Sequence, residues 1–230
     1  MKKLLVFWII LALLGVLNAQ GSGDEEVEEI RARYNEANRD WRLSAVMFVL
    51  NNEEENIAET IEAMEDFTAT TRSYVDLNRP GYDLALHLFY LNLENIRKLE
   101  QLELRLNERR EDFENVPEES FAERYEVEEG DFYNYDRFNE KYEEIMDTWR
   151  AEYEVVLAGE DIDGIQQIRQ DMMLLRAAIE AFVLFPGDSA SRVPDLQRKQ
   201  RDLRHAILTL QTHIAGIAAD TEEEDDDENG

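Results

Sequence analysis

Residues 138–183 read FNEKYEEIMDTWRAEYEVVLAGEDIDGIQQIRQDMMLLRAAIEAFV. Phe138, Tyr142, Ile145, Trp149, Tyr153 and Val156 recur at steps of three and four. After Ala158-Gly159-Glu160-Asp161 the same beat resumes with Ile165, Ile168, Met172, Leu175, Ile179 and Phe182. Such steps place side chains on one stripe of an α-helix. Gly159 stands where a helix end wants a left-handed residue. Asp161 or Asp163 stands where an N-cap is wanted, with Gln166 three residues beyond Asp163. The stretch predicts a helical hairpin, and the rest of the chain follows its pattern.

Upstream, a first helix is expected over residues 25–50, after a flexible lead-in at Gly21-Ser22-Gly23-Asp24. Its heptad seam is Val27, Ile30, Tyr34, Ala37, Trp41, Ser44 and Phe48. Asn51-Asn52 interrupts it. Asn52 suits an N-cap, and Glu53, Glu54 and Glu55 suit the positive end of a second helix with seam Ile57, Ile61, Met64, Phe67, Thr71 and Tyr74. One unbroken helix across Asn51 is the alternative. A third helix spans residues 81–114, beginning at Pro80-Gly81. Leu84, Leu88, Phe89, Leu91, Leu93, Ile96, Leu99, Leu102 and Leu106 cover more than one of its faces. A helix apolar over a wide arc is usually flanked on two sides. This helix is therefore expected to be the most buried of the first half.

Val116-Pro117 ends the third helix. An acidic stretch follows with Phe121, Tyr125, Phe132, Tyr133 and Tyr135 set into and around it, and one short helix near Ser120–Tyr125. Its aromatics either form an interface or fold back over a bundle end; the second is expected. The hairpin supplies the fourth and fifth helices and closes at Phe185-Pro186-Gly187. The sixth starts near Pro194 and carries Leu196, Gln200, Leu203, Ile207, Leu210, Ile214 and Ile217.

The expected fold is all-α: antiparallel bundles of about six long amphipathic helices, with sequential neighbours antiparallel. Residues 1–19 read as a secretory signal, 20–116 as a first three-helix unit, 117–133 as an acidic aromatic linker, 134–219 as a second three-helix unit, and 220–230 as a disordered acidic tail. A shift of 108 residues lays the second unit on the first: Tyr34 meets Tyr142, Trp41-Arg42 meets Trp149-Arg150, Ile57 meets Ile165, and Met64 meets Met172. Amphipathic helices match whenever their phases agree. The specific part is the two Trp-Arg dipeptides. A tandem duplication and a chance match of phase both fit, as do two tandem bundles and one merged array.

Met1-Lys2-Lys3, the apolar run Leu4–Leu17 and Asn18-Ala19-Gln20 have the order of a signal peptide, with cleavage after Ala19. The run is shorter than the roughly 20 apolar residues of a membrane span. Leu17 departs from the small residue usual before a cut, so an uncleaved anchor is the alternative. With no Cys there are no disulfides and no cysteine-linked lipid.

The net charge of −29 argues against nucleic acid and anionic membranes as partners, because phosphates need basic patches. Beyond the leader only Lys98, Lys141 and Lys199 remain. Strong acidity with scarce Lys also suits a protein in high salt.

No motif names an activity. His87, His205 and His213 are the only histidines, and none follows a Glu-x-x-His spacing. Asp202 with His205 is a single, unduplicated pair, so surface histidines are expected. Asp161-Ile162-Asp163-Gly164 has the middle of a calcium loop, but Gly159 and Gln170 fall where carboxylates are needed. Helix capping explains these residues with fewer demands. There is no Gly-x-Ser-x-Gly elbow, phosphate-cradling Gly loop or His-Glu-x-x-His. No catalytic, cofactor or metal residue is assigned and no cofactor is expected.

The reading that follows is an exported, non-enzymatic helical interaction or scaffold protein of the cell envelope. Its expected partner is a protein, and self-association through a heptad seam remains open. The alternative is a sensor or carrier holding a small molecule or metal between helices. A pocket lined by Asn92 or Asn95 would mark the alternative; an exposed apolar patch would mark the first.

Overall fold

The computed structural model describes the backbone of residues 2–51, 54–76, 81–111, 119–158 and 161–228. Side chains are described within 25–217 of these, apart from 54–56, 74, 109–111 and 188. The expected capping by Asn52, Pro80, the stop at Val116-Pro117 and the turn at Gly159 lie outside the described residues.

Among the described residues seven α-helices follow in order: α1 Lys2–Asn51, α2 Glu54–Asp76, α3 Tyr82–Glu111, α4 Phe121–Arg124, α5 Tyr135–Ala158, α6 Ile162–Leu184 and α7 Val193–Glu228. Two 3-10 turns, Glu129–Phe132 and Gly187–Arg192, precede α5 and α7. The fold is all-α, and its long helices form a bundle. No helix among the described residues is long and apolar enough to cross a membrane. The helix of α1 continues through Gly21-Ser22-Gly23, where a lead-in is expected. Glycine weakens a helix by about 1 kcal/mol per residue, but no Pro stands there to stop it. At the other end the backbone of α7 continues helical to Glu228, through most of residues 220–230, where a disordered tail is expected.

The apolar stripes bury as their periodicity requires. Phe138, Tyr142, Ile145 and Trp149 of α5 are buried, as are Ile165, Ile168, Met172, Leu175, Ile179 and Phe182 of α6. Asp161 is the N-cap of α6, its Oδ1 accepting from the Gly164 N–H at 3.1 Å. α1 and α2 are separate helices that pack on each other, with Thr60 Oγ1 donating to Ser44 Oγ at 2.6 Å.

The main core is continuous across both halves of the chain. Phe48, Met64 and Leu99 join it from the first half, and Phe138, Phe182 and Leu203 from the second. Each large apolar side chain so buried contributes about 1.5–3 kcal/mol. α1 lies along α6 and also along α2; α2 pairs with α3, and α6 with α7. A second, smaller core of Ile30, Ala85 and Leu88 joins the earlier part of α1 to the start of α3. Gly81, at φ +86°, lets α3 begin against α1: a Cβ there would stand 3.2 Å from Val27 Cγ2.

The most buried stretch of the first half is in α1, which corrects the expectation for the third helix. Trp41, Arg42, Leu43, Ala45, Val46, Phe48, Val49 and Leu50 are all buried. The physical reason is position: this part of α1 sits between α2 and α6, with α4 and the first 3-10 turn against it as well. α3 is covered mainly by α2.

Candidate functional site

α3 has two apolar faces, and the chain covers one. Ala85, Leu88, Ile96, Leu99, Leu102 and Leu106 are buried, with Asn92 and Asn95 among them. At 100° per residue the other apolar positions, Tyr82, Leu86, Phe89, Tyr90, Leu93 and Leu104, fall within an arc of about 100° turned away from that face. Tyr90 is 63% exposed, Leu93 44% and Leu104 59%; Leu86 and Phe89 are half-buried. The Phe89 and Tyr90 rings meet edge-on, 5.3 Å between centroids. From Leu84 to Leu93 the sequence has no charged residue. Glu94 follows, and its ion pair with Lys98 at 2.5 Å holds its carboxyl below the usual range. Single exposed apolar side chains are ordinary; a row of aromatics and leucines on one helix face is what marks an interaction site.

Asn92 and Asn95, the residues expected to mark a ligand pocket, are engaged inside the bundle. Asn92 Nδ2 donates to the Met64 carbonyl at 2.7 Å and to Thr68 Oγ1 at 2.8 Å. Asn95 Nδ2 donates to the Leu184 carbonyl at 3.1 Å. Both tie α3 to its neighbours. His87, His205 and His213 are exposed, as is Asp202. No cluster of potential metal ligands occurs among the described residues.

The aromatic segment folds back on the bundle. Ser120 and Glu123 form a reciprocal capping box that starts α4, and Phe121, Ala122, Val127 and Phe132 are buried. Tyr133 remains outside, with Arg39 stacked 5.2 Å from its ring centroid. Tyr135 is half-buried against α7, and its hydroxyl donates to Asp195.

Two buried polar centres were not legible as such in the sequence. One is Asp171, fully buried in α6. It accepts from the Arg124 guanidinium, from the Tyr125 hydroxyl at 2.8 Å and from Gln167 Nε2 at 3.0 Å. Burial pushes the Asp171 carboxyl above its ordinary value, against the opposing pull of Arg124 and the two other donors. The other is Arg42, 1% exposed. Its Nε donates to the Phe132 carbonyl at 3.2 Å, Nη1 to those of Phe185 and Pro186 at 3.1 Å each, and Nη2 to that of Tyr133. Its Cζ lies 4.8 Å from the Phe182 ring centroid. Phe185 and Pro186 follow the last turn of α6, where carbonyls lack helical partners and a cation is favoured. Both centres hold segments together, and Arg42 also lines an opening of about 320 Å³ with Asn35, Glu36, Arg39, Tyr133 and Gly187. A signal for Arg42 existed: it is the one charge in the apolar run from Trp41 to Leu50.

A groove of about 480 Å³ runs between α1 and α2. Trp41 and Phe67 contribute to its floor, and Asp40, Glu59 and Asp66 line it too. Glu59 and Asp66 have no ion pair among the described residues.

No family model, curated protein or solved structure matches the chain. The site therefore rests on its own geometry.

Proposed function

We propose that this is an exported helical interaction protein of the cell envelope, without a catalytic centre, that docks a protein partner on the outer face of α3. One observation carries the reading: a ten-residue charge-free stretch in a chain of net charge −29 presents Tyr90 and Leu93 to solvent. The leader sequence supports export, and the acidity disfavours nucleic acid. The test is a photo-cross-linking residue at position 90, with position 155 as control, in cells producing the full chain. Val155 is also exposed, at 72%, on another helix. A discrete protein adduct is expected at 90 alone, lost on Leu93→Glu. No adduct at 90, or equal adducts at both positions, overturns the reading. Intact mass beginning at Gln20 is the accompanying check on export.

The α1–α2 groove favours a second reading, a carrier of a small organic cation. Its volume lies within the usual range for ligand pockets, and the carboxylates on its wall complement positive charge. Titration with an alkylamine, followed by tryptophan emission, decides it: a saturable change absent in Trp41→Phe supports the carrier, and none dismisses it.

A further inference from the structure

We infer that the outward face of α7 pairs with α7 of a second copy, antiparallel, the basic first part of each helix lying against the acidic end of the other. This contact is separate from the outer face of α3 and does not rest on the docking reading above.

α7 is divided by charge. Residues 193–217 hold Arg198, Lys199, Arg201 and Arg204 against Asp195 and Asp202, a net +2. Residues 218–228 hold eight acids and no base. Between the blocks, residues 205–219 contain no Asp, Glu, Lys or Arg. Lys199 is engaged inside, by Glu143 and the Tyr142 ring, and Arg198 pairs with Asp195. Arg201 and Arg204 are exposed and make no hydrogen bond or ion pair among the described residues. At 100° per residue, Arg201, Arg204, Leu208 and Thr212 fall within an arc of about 80°, turned away from buried Leu196, Leu203 and Leu210. The exposed Asp202 lies outside that arc. Leu208 is 49% exposed, and a Cβ on Gly216 would meet nothing within 4 Å, so the uncharged middle of the helix is open to contact.

The acids that would answer Arg201 and Arg204 cannot come from their own helix. Its backbone is unbroken from Val193 to Glu228. At 1.5 Å per residue, Glu222 stands about 27 Å along it from Arg204, farther than two side chains span. α7 has 36 residues and α6, packed against it, has 23, so thirteen residues of α7, about 20 Å, have no length of α6 beside them. That overhang carries the acidic block within reach of another molecule. A two-fold axis near Thr212 sets residues 198–204 against 222–228 at both ends, with the two uncharged stretches meeting between. A parallel pair would set acid on acid. One patch serving both copies is what a symmetric dimer requires. Opposite charges meet twice in this contact, although two chains of net charge −29 repel overall.

The test is sedimentation of the purified chain from about 1 to 100 μM, the range of a micromolar dimer. Salt of about 0.15 M screens charges beyond about 8 Å and leaves facing side chains to interact. A concentration-dependent dimer is expected. Arg201→Glu with Arg204→Glu should raise its dissociation constant at least about tenfold. Changing all six acids from Glu222 to Asp227 to Lys should do the same, and both variants should keep their helical circular dichroism. Each variant then has like charge at both ends of α7, but the two complement each other, so mixing them in equal amounts should restore a dimer. The chain has no cysteine, so Thr212→Cys should give a disulfide-linked dimer under mild oxidation and Val155→Cys should not. A monomer across the whole range overturns the inference. So does a dimer indifferent to either charge reversal, a mixture of the two variants that stays monomeric, or equal cross-linking from positions 212 and 155.

Discussion

The indole N–H of Trp149 donates to the hydroxyl of Tyr125 at 2.8 Å. The ring of Tyr125 stands edge-on to the indole at 5.9 Å, and its hydroxyl donates in turn to Asp171 at 2.8 Å. A segment that reads as a linker is thereby fastened to both helices of the hairpin that decides the fold.

Tyr125→Phe keeps the ring and removes the relay. It strands the Trp149 donor in a buried place and deprives Asp171 of one partner. A loss of about 1–3 kcal/mol is expected, the penalty for an unsatisfied buried donor. Urea denaturation against the parent chain measures it; a loss under half a kcal/mol would show that water replaces the hydroxyl.

Asp171 gives a signed pH dependence. Its carboxyl is raised above the ordinary 3.8 in the folded protein, so the folded state holds the proton more tightly than the unfolded one. The stabilisation from that proton is full below 3.8 and is lost as pH rises through the folded value. Asp171→Asn should flatten this part of the stability profile. Asp171→Ala at neutral pH should cost about 3 kcal/mol, the lower end for a broken buried pair, because Arg124 keeps some contact with solvent. Chemical denaturation from pH 3 to 7 tests both, and an unchanged slope in Asp171→Asn would contradict the assignment.

The two Trp-Arg dipeptides separate by their arginines. Trp41 and Trp149 are both buried, but Arg42 is enclosed and Arg150 is exposed in a surface pair with Asp147. Arg150→Ala should alter stability by no more than about 0.5 kcal/mol. Arg42→Ala should lose several times that, because it removes a donor from four carbonyls, of which Pro186 still accepts from the Ser189 N–H, and leaves an unfilled space beside Phe182. Equal losses in paired thermal melts would show that the two positions are equivalent after all.

Tyr135 and Tyr142 are pushed up to about 12, chiefly by burial, and for Tyr135 also by its bond to Asp195. A raised folded value means that stability is intact below 10 and falls as pH climbs from 10 towards 12. Ultraviolet titration should show their ionisation arriving together with loss of helix, and Tyr135→Phe should move that loss to higher pH.

The helices were legible because a period of three and four is enforced by burial. Phe138 to Trp149 and Ile165 to Phe182 had one face to hide, and the pattern records it. The cap at Asp161 was legible because its side chain serves a backbone N–H three residues away. Depth was not. Periodicity says that a face is covered and is silent on how many neighbours cover it, so α3, apolar over a wide arc, read as more enclosed than α1. The second apolar face of α3 was visible in the sequence; its exposure is a property of where α2 and α6 lie. Asp171 was hidden for a different reason. Among 53 acidic residues nothing local distinguishes the one whose partners come from 46 and 47 positions upstream.

Arg42 is bonded to carbonyls at residues 132 and 133 and again at 185 and 186. Its side chain belongs to the first half of the sequence, while every acceptor named belongs to the second. A polypeptide severed between residues 112 and 118 would leave one fragment with a guanidinium made for a dry interior and the other with helix-end carbonyls awaiting it. Neither fragment is expected to be well behaved alone, and each is the natural complement of the other. Mixing the two should restore a fold that neither half possesses, which makes the molecule a candidate split reporter whose reassembly is governed by one arginine.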